Sequence, residues 1–177
     1  MRCVTSFSEE GYKEYGQRFL ETYLEYVGKP LDVYVETDDY SGYIQHELIT
    51  YRNLFEVEGC KEYLTMASFP AAQGQIWGQS YNYNFATFKF ARKSFAQIDS
   101  ASRNPDKLYW LDSDIEFSAP FELPEFDVFM CYLGRPEWHS CASLVGWDLN
   151  HEMAQEFFKR YWLIHVTGTV FCLERRS

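Results

Sequence analysis

The run Leu108-Tyr109-Trp110-Leu111-Asp112-Ser113-Asp114 carries the clearest chemistry in this chain. In extended backbone, residues two apart project to the same side, so Asp112 and Asp114 aim together from the end of an apolar stretch. Neighbouring carboxylates repel unless a positive charge lies between them. A hard divalent cation such as Mg2+ or Mn2+ meets that need and keeps positions open for phosphate oxygens. Two acids in a solvated turn have the same spelling, so a bare D-x-D is a loose signal. The apolar run before it and Ile115-Glu116-Phe117 after it favour the cation site. A second group is Lys89, Arg92 and Lys93, whose spacing of three and four puts them on one side of a helix. They could neutralise phosphate oxygens or pair with the acids of the D-x-D, or simply form a solvated helix face. The third is Gly134-Arg135-Pro136-Glu137-Trp138-His139-Ser140. There Trp138 could stack on a sugar ring while Arg135 and His139 bond its hydroxyls, or Trp138 could belong to the core of an ordinary connection. Glu14, Glu21 and Glu25 read as surface charge.

The elements that must position these groups follow from periodicity. Cys3 to Phe7 suits a buried strand, and Ser6 or Ser8 then caps a helix with Glu9 and Glu10 in its first turn. Tyr12, Tyr15, Phe19, Tyr23 and Tyr26 recur at three and four residues, the mark of one buried helical face. Gly28 followed by Lys29-Pro30 ends that helix. Leu31 to Glu36 alternates as a second strand. Strand, helix, strand is a βαβ unit, which implies a parallel sheet with a right-handed crossover. Thr37 to Ser80 is polar and punctuated by glycine, and no elements can be placed there. Asn84 to Ala101 returns to a helical period through Phe88, Ala91, Phe95 and Ile98. Lys107 to Leu111 is a strand that delivers Asp112 and Asp114 to its carboxyl end, where open α/β sheets bind ligands; Ile115 to Phe117 continues it briefly. Asp127 to Leu133 and Ser143 to Trp147 are further strands. Asn150 caps a last helix in which Met153, Phe157 and Tyr161 share a face. The fold class expected is α/β, a mostly parallel central sheet with flanking helices in a single domain over residues 1–177.

Composition narrows the functions. The chain has 177 residues, 16 Lys plus Arg against 26 Asp plus Glu, and a formal charge of −10. Such a surface repels a phosphate backbone, so nucleic-acid binding is not expected. A small anion needs only a local patch or a bound cation. No stretch approaches the roughly 18 apolar residues of a membrane span, and the amino terminus has no apolar signal core. The five cysteines, an odd number without a C-x-x-C pair, are expected as reduced thiols in the cytoplasm.

Val4-Thr5-Ser6-Phe7-Ser8-Glu9-Glu10-Gly11-Tyr12, Leu111-Asp112-Ser113-Asp114-Ile115, and Leu133-Gly134-Arg135 leading to Leu144-Val145-Gly146-Trp147 resemble bacterial and phage glycosyltransferases of the GT-A (nucleotide-diphospho-sugar transferase) fold, which is Rossmann-like. The resemblance covers most of the chain apart from Tyr40 to Gln79. It implies a nucleotide-diphosphate sugar donor such as a UDP- or GDP-sugar, held with Mn2+ or Mg2+ on Asp112 and Asp114. It places Thr5 and Ser6 beside the nucleotide, Arg92 or Lys93 near the diphosphate, and Arg135 and the loop to Asp148 toward the sugar. The acceptor (glycan, lipid or protein) is left open.

The chain departs from the family pattern twice. Relatives often carry an acid near the position of Ser140-Cys141-Ala142; the nearest carboxylates here are Asp148 and Glu137, first and second choice for a base if the reaction inverts the sugar carbon. Relatives also continue past Thr167 to Phe171 into a segment that supplies a metal-binding histidine. The expectation is therefore a domain lacking its carboxyl-terminal segment, with His151 or His165 as a substitute ligand, or His165 equally as a core residue. Two rivals stand beside the metal-assisted transferase. One is a remnant of the same fold that binds a nucleotide sugar or glycan without turnover. The other is a Mg2+-dependent aspartyl phosphohydrolase, which expects D-x-D near the amino terminus rather than past mid-chain.

Overall fold

The computed structural model of the chain describes residues 1–75, 80–81, 86–134 and 141–169. Strand β1 (Arg2–Ser6) leads to Ser8, whose hydroxyl accepts from the Gly11 N–H at 3.1 Å and so caps the first helix. That helix starts as α1 (Glu9–Gly11), passes through a π-helical stretch at Tyr12–Gly16 and continues as α2 (Gln17–Tyr26). Within it the Gln17 N–H reaches back five residues to the Tyr12 carbonyl. Gly28, at φ +58°, takes the left-handed conformation that ends the helix. Strand β2 (Leu31–Val35) is buried throughout and pairs in parallel with β1.

The segment with no placed elements contains β3 (Ile49–Asn53) and α3 (Cys60–Met66), with 3-10 turns at Leu54–Glu56 and Pro70–Gln73. Helix α4 (Thr87–Arg103) begins later than Asn84, which lies outside the described residues. It buries Ala91 and Phe95, with Phe88 and Ile98 packed beside them, as the period predicts. Strands β4 (Lys107–Leu111), β5 (Met130–Leu133) and β6 (Cys141–Asp148) and helix α5 (Glu152–Val166) complete the order.

The fold is mixed α/β, with a mostly parallel central sheet flanked by helices. Among the described residues its six strands run β3-β2-β1-β4-β6-β5. β1 is parallel to both β2 and β4, β2 is parallel to β3, and β6 runs antiparallel between β4 and β5. One face is covered by a core that includes Tyr63, Phe95, Trp110 and Phe158, from α3, α4, β4 and α5. The other carries Phe19, Leu20 and Tyr23 of α2 with Tyr109 and Leu111 of β4. Thus successive residues of β4 feed opposite layers, as a strand in a three-layer sandwich must. From β1 the chain crosses one face to reach β2; it later returns over the other face to add β4 on the opposite side of β1. Strand order therefore reverses between β1 and β4, and a crevice opens beyond their carboxyl ends.

Four local expectations need correction. Ile115 to Phe117 is not a strand. β5 starts at Met130 rather than Asp127, because Asp127 to Phe129 form a bend leading into it. His151, not Asn150, caps α5, its ring nitrogen accepting from the Met153 N–H at 3.1 Å. Met153 is 56% exposed, while Phe157 and Tyr161 do share a face half-buried against the core; Ala154 and Phe158 beside them are the buried residues, and Phe158 packs edge-on to Trp147 at 5.1 Å. Among the described residues no helix is long and apolar enough to cross a membrane.

Gly146, on the central part of β6, leaves space that its neighbours fill. A Cβ there would lie 2.8 Å from the Cys131 sulfur, 2.9 Å from the Phe126 ring and 3.0 Å from the Tyr109 ring. Gly146→Ala is expected to destabilise the fold by about 2 kcal/mol, an ordinary overpacking cost, measured as a shift in the urea midpoint at unchanged slope. An unchanged midpoint would mean that the layer holding Tyr109 and Phe126 yields freely.

Candidate functional site

The crevice between β1 and β4 is a cleft of about 840 Å³. Its floor and walls come from four places: Ser6 to Ser8 at the end of β1, one side of the first helix, the first turns of α4, and Trp110 with Asp112 to Asp114 at the end of β4. Asp112, Ser113 and Asp114 all line it, so the sheet delivers the D-x-D where its topology predicts a ligand. Ser113 is buried and donates from its hydroxyl to the Ser6 carbonyl at 3.1 Å, which ties the two strand ends together. The Asp112 N–H donates to the Ser143 carbonyl of β6 at 2.9 Å, fixing the backbone from the other side.

The two aspartates differ in their surroundings. On Asp112, Oδ1 accepts from the Lys93 ammonium at 2.8 Å and from the Trp110 indole N–H at 2.6 Å. Lys93 also donates to the Ala142 carbonyl at 2.8 Å, and its nitrogen lies 4.8 Å from the centre of the Trp110 ring. Asp114 is exposed to the cleft, and no bond from a described side chain to its carboxylate is present. Arg92 pairs with Glu36, which follows β2, and its guanidinium lies 4.3 Å from the centre of the Phe88 ring. Lys89 faces the same cleft, its nitrogen 5.6 Å from the Tyr81 ring centre. The stripe expected from spacing is thus gathered at the crevice, with two of its cations braced by acids at the carboxyl edge of the sheet.

Thr5 is placed differently from expectation. It is fully buried, and its hydroxyl donates to the Leu111 carbonyl at 2.8 Å; it joins β1 to β4 and leaves Ser6 to face the cleft. Asp148 needs a larger correction. Because β6 is antiparallel to β4, Asp148 stands opposite Lys107 while Leu144 stands opposite Leu111. Asp148 therefore lies at the far edge of the sheet, about 13 Å along the strand from the D-x-D end. Its carboxylate accepts the Asn150 N–H at 3.0 Å, so it is not the base for this cleft. Arg135, Glu137, Trp138 and His139 lie outside the described residues, as do Cys172 and the others from 170 on.

Neither histidine approaches the aspartates as a ligand. His151 caps α5 next to Asp148. His165 is enclosed by Tyr63, Phe95 and Tyr161, with Nδ1 2.7 Å from the Tyr161 carbonyl, and burial lowers its pKa below the usual histidine value. Among the described residues no set of three or more His, Cys, Asp or Glu side chains is gathered to hold a metal ion. The donor set still suits Mg2+ or Mn2+, which take one or two carboxylates and complete their shell with water and phosphate oxygen. Cysteine chemistry is not supported by the interior: burial pushes the thiols of Cys3 and Cys60 up to about 12, far from the thiolate a nucleophile needs.

Several cleft residues were not singled out by sequence. Glu10, Glu14 and Tyr15 line it from the first helix, where the acids read as cap and surface charge. Glu36 braces Arg92, and Trp110 braces Asp112. Trp110 could have been found, since it sits two residues before Asp112 on the same side of the strand. Glu36 follows β2 at the same sheet edge, a position that becomes informative only once β2 is known to be parallel to β1.

No protein-family profile matches the chain, and no curated protein matches it in sequence. Among solved structures it is similar to the crystal structure of mouse xyloside xylosyltransferase 1 in its apo form. The TM-score is 0.47 and the sequence identity 10%, with 92% of this chain and 73% of that chain covered.

Proposed function

We propose that the chain is a glycosyltransferase of GT-A type that binds a nucleotide-diphosphate sugar in the β1–β4 cleft and transfers the sugar to an acceptor hydroxyl. One observation carries this reading: Asp112 and Asp114 follow the carboxyl end of β4, a central strand parallel to β1, inside a cleft that also gathers Lys89, Arg92 and Lys93. Breaking the bond from the sugar to the diphosphate leaves negative charge on the leaving group, and stabilising that charge is the main electrostatic task of the site. Asp112 and Asp114 would hold Mn2+ or Mg2+, which supplies Lewis-acid stabilisation of phosphate oxygens when bound. Lys89 and Lys93 would bond the phosphate oxygens directly, and Arg92, held by Glu36, adds fixed positive charge behind them. Ser6 and Ser8 would flank the nucleotide. Ser113 keeps the two strand ends in register, so that these groups stay preorganised.

The position of Asp148 favours a second reading, a protein of the same fold that binds the nucleotide sugar and does not turn it over. With Asp148 at the far edge, the first candidate for a general base is removed from the cleft. A reaction that retains configuration needs no such base, so the two readings differ in turnover alone. Incubation with a panel of nucleotide sugars and Mn2+ separates them. Release of nucleoside diphosphate supports the transferase. Mn2+-dependent thermal stabilisation by a nucleotide sugar without release supports the binding protein. Phosphate release from a monoester, with no response to nucleotide sugars, would replace both with the phosphohydrolase.

A further inference from the structure

The cation that Asp112 carries in this fold is part of the chain. Lys93 reaches from the second turn of α4 to Oδ1 of Asp112 at 2.8 Å, and a second bond, to the Ala142 carbonyl at 2.8 Å, holds the ammonium there. Trp110 completes the arrangement: its indole N–H donates to the same oxygen at 2.6 Å, and its ring lies 4.8 Å from the ammonium. The Lys93 and Asp112 side chains are 24% and 29% exposed, so the pair is only partly screened by water. Oδ1 therefore already accepts two strong donors, while Asp114 carries no such partner among the described residues.

We propose that Lys93 is a built-in competitor for the divalent cation, so that metal can bridge Asp112 and Asp114 only when the ammonium leaves Oδ1. This rests on the metal reading of the D-x-D and goes beyond it, since it assigns Lys93 a role in metal loading. Two cations on one carboxylate oxygen would stand within a few ångström of each other and repel strongly in a half-buried cleft. The lysine stem is flexible and its ammonium can swing as a point charge, so the displaced group is free to turn toward an anion entering the same cleft. Lys93 is on this account a positioning residue for the acids. It keeps Asp112 ordered and charge-balanced when no divalent ion is bound, and it weakens metal binding by occupying its ligand.

The test is the affinity of the full-length chain for Mn2+ alone, read by the loss of the free-ion paramagnetic resonance signal, with no substrate present. Lys93→Met is expected to tighten Mn2+ binding by about tenfold, an ordinary size for coupling between two occupants of one site. Lys93→Arg, which keeps a cation in the position, is expected to stay near wild type. Lys93→Gln provides a second neutral variant should the Met chain fail to fold, and melting temperature is recorded for each. A purely structural lysine would not tighten metal binding when removed. Unchanged or weaker Mn2+ affinity in the folded neutral variants overturns the proposal, because Lys93 and the ion would then coexist. Asp114→Asn separates this failure from that of its premise: if Mn2+ binding is indifferent to Asp114→Asn, the metal reading itself fails.

Discussion

Asp114→Asn is expected to lower Mn2+-dependent release of nucleoside diphosphate by about a hundredfold or more, the scale of losing a group that stabilises transition-state charge. The substitution keeps the shape and removes the charge. Asp114 is exposed, with no described partner on its carboxylate, so its effect on stability should lie within about 0.5 kcal/mol. Initial rates across a Mn2+ titration, beside a melting curve, separate the two effects. A rate within a few-fold of wild type at all Mn2+ concentrations would remove Asp114 from the chemistry. Asp112→Asn is a less clean probe, because Asp112 also holds Lys93 and Trp110.

The second large effect concerns stability. Asp32 on β2 is completely buried. Its Oδ1 accepts from Arg2 at 2.8 Å and lies 3.5 Å from the Arg52 Nε, and its Oδ2 accepts from the Ser100 hydroxyl at 2.8 Å. Three elements, β1, β3 and α4, thus converge on one carboxylate. Asp32→Ala is expected to destabilise the chain by about 3 kcal/mol, since removing one member strands the charges that faced it. The two arginine side chains are 30% and 28% exposed, so they recover part of their hydration and hold the cost at the lower end of that range. For a chain of this size the melting temperature should fall by roughly 10 °C. Asp32 does not line the cleft, so activity measured well below the transition should be retained. A loss under about 1 kcal/mol would show that the arginines are satisfied by solvent and that the carboxylate is not an anchor.

The parts legible in the sequence were those in which one face alone is buried or the whole strand is. The first helix announced itself through Tyr12, Phe19 and Tyr23, β2 through its alternation and β4 through a compact apolar run. β3 was invisible because it is an edge strand, paired on one side, and all five of its residues are only partly buried, so no alternation marks it. The direction of a strand is also absent from its period. Ser143 to Trp147 reads as a strand either way up, and only the antiparallel pairing with β4 sends Asp148 to the sheet edge away from the cleft. Helix α5 shows the limit of spacing: a stripe through Met153, Phe157 and Tyr161 and one through Ala154 and Phe158 are one residue apart, and both pack on the core, with Ala154 and Phe158 buried and Met153 left in solvent. The cleft was legible as a D-x-D plus a basic stripe, because the D-x-D directly follows a buried strand, in a turn just past Leu111, and the stripe lies on a helix. Its acidic wall of Glu10 and Glu14 was not, since nothing in a helix period tells which solvated side faces a neighbouring strand end.

The most direct test is a crystal structure of the chain grown with a nucleoside diphosphate and Mn2+, with anomalous data collected for manganese. The account predicts an anomalous peak bonded to Asp114 and Asp112 and to diphosphate oxygens, in the cleft between Ser6 and the start of α4. Nucleotide bound elsewhere, or bound in that cleft with manganese remote from both aspartates, would contradict it.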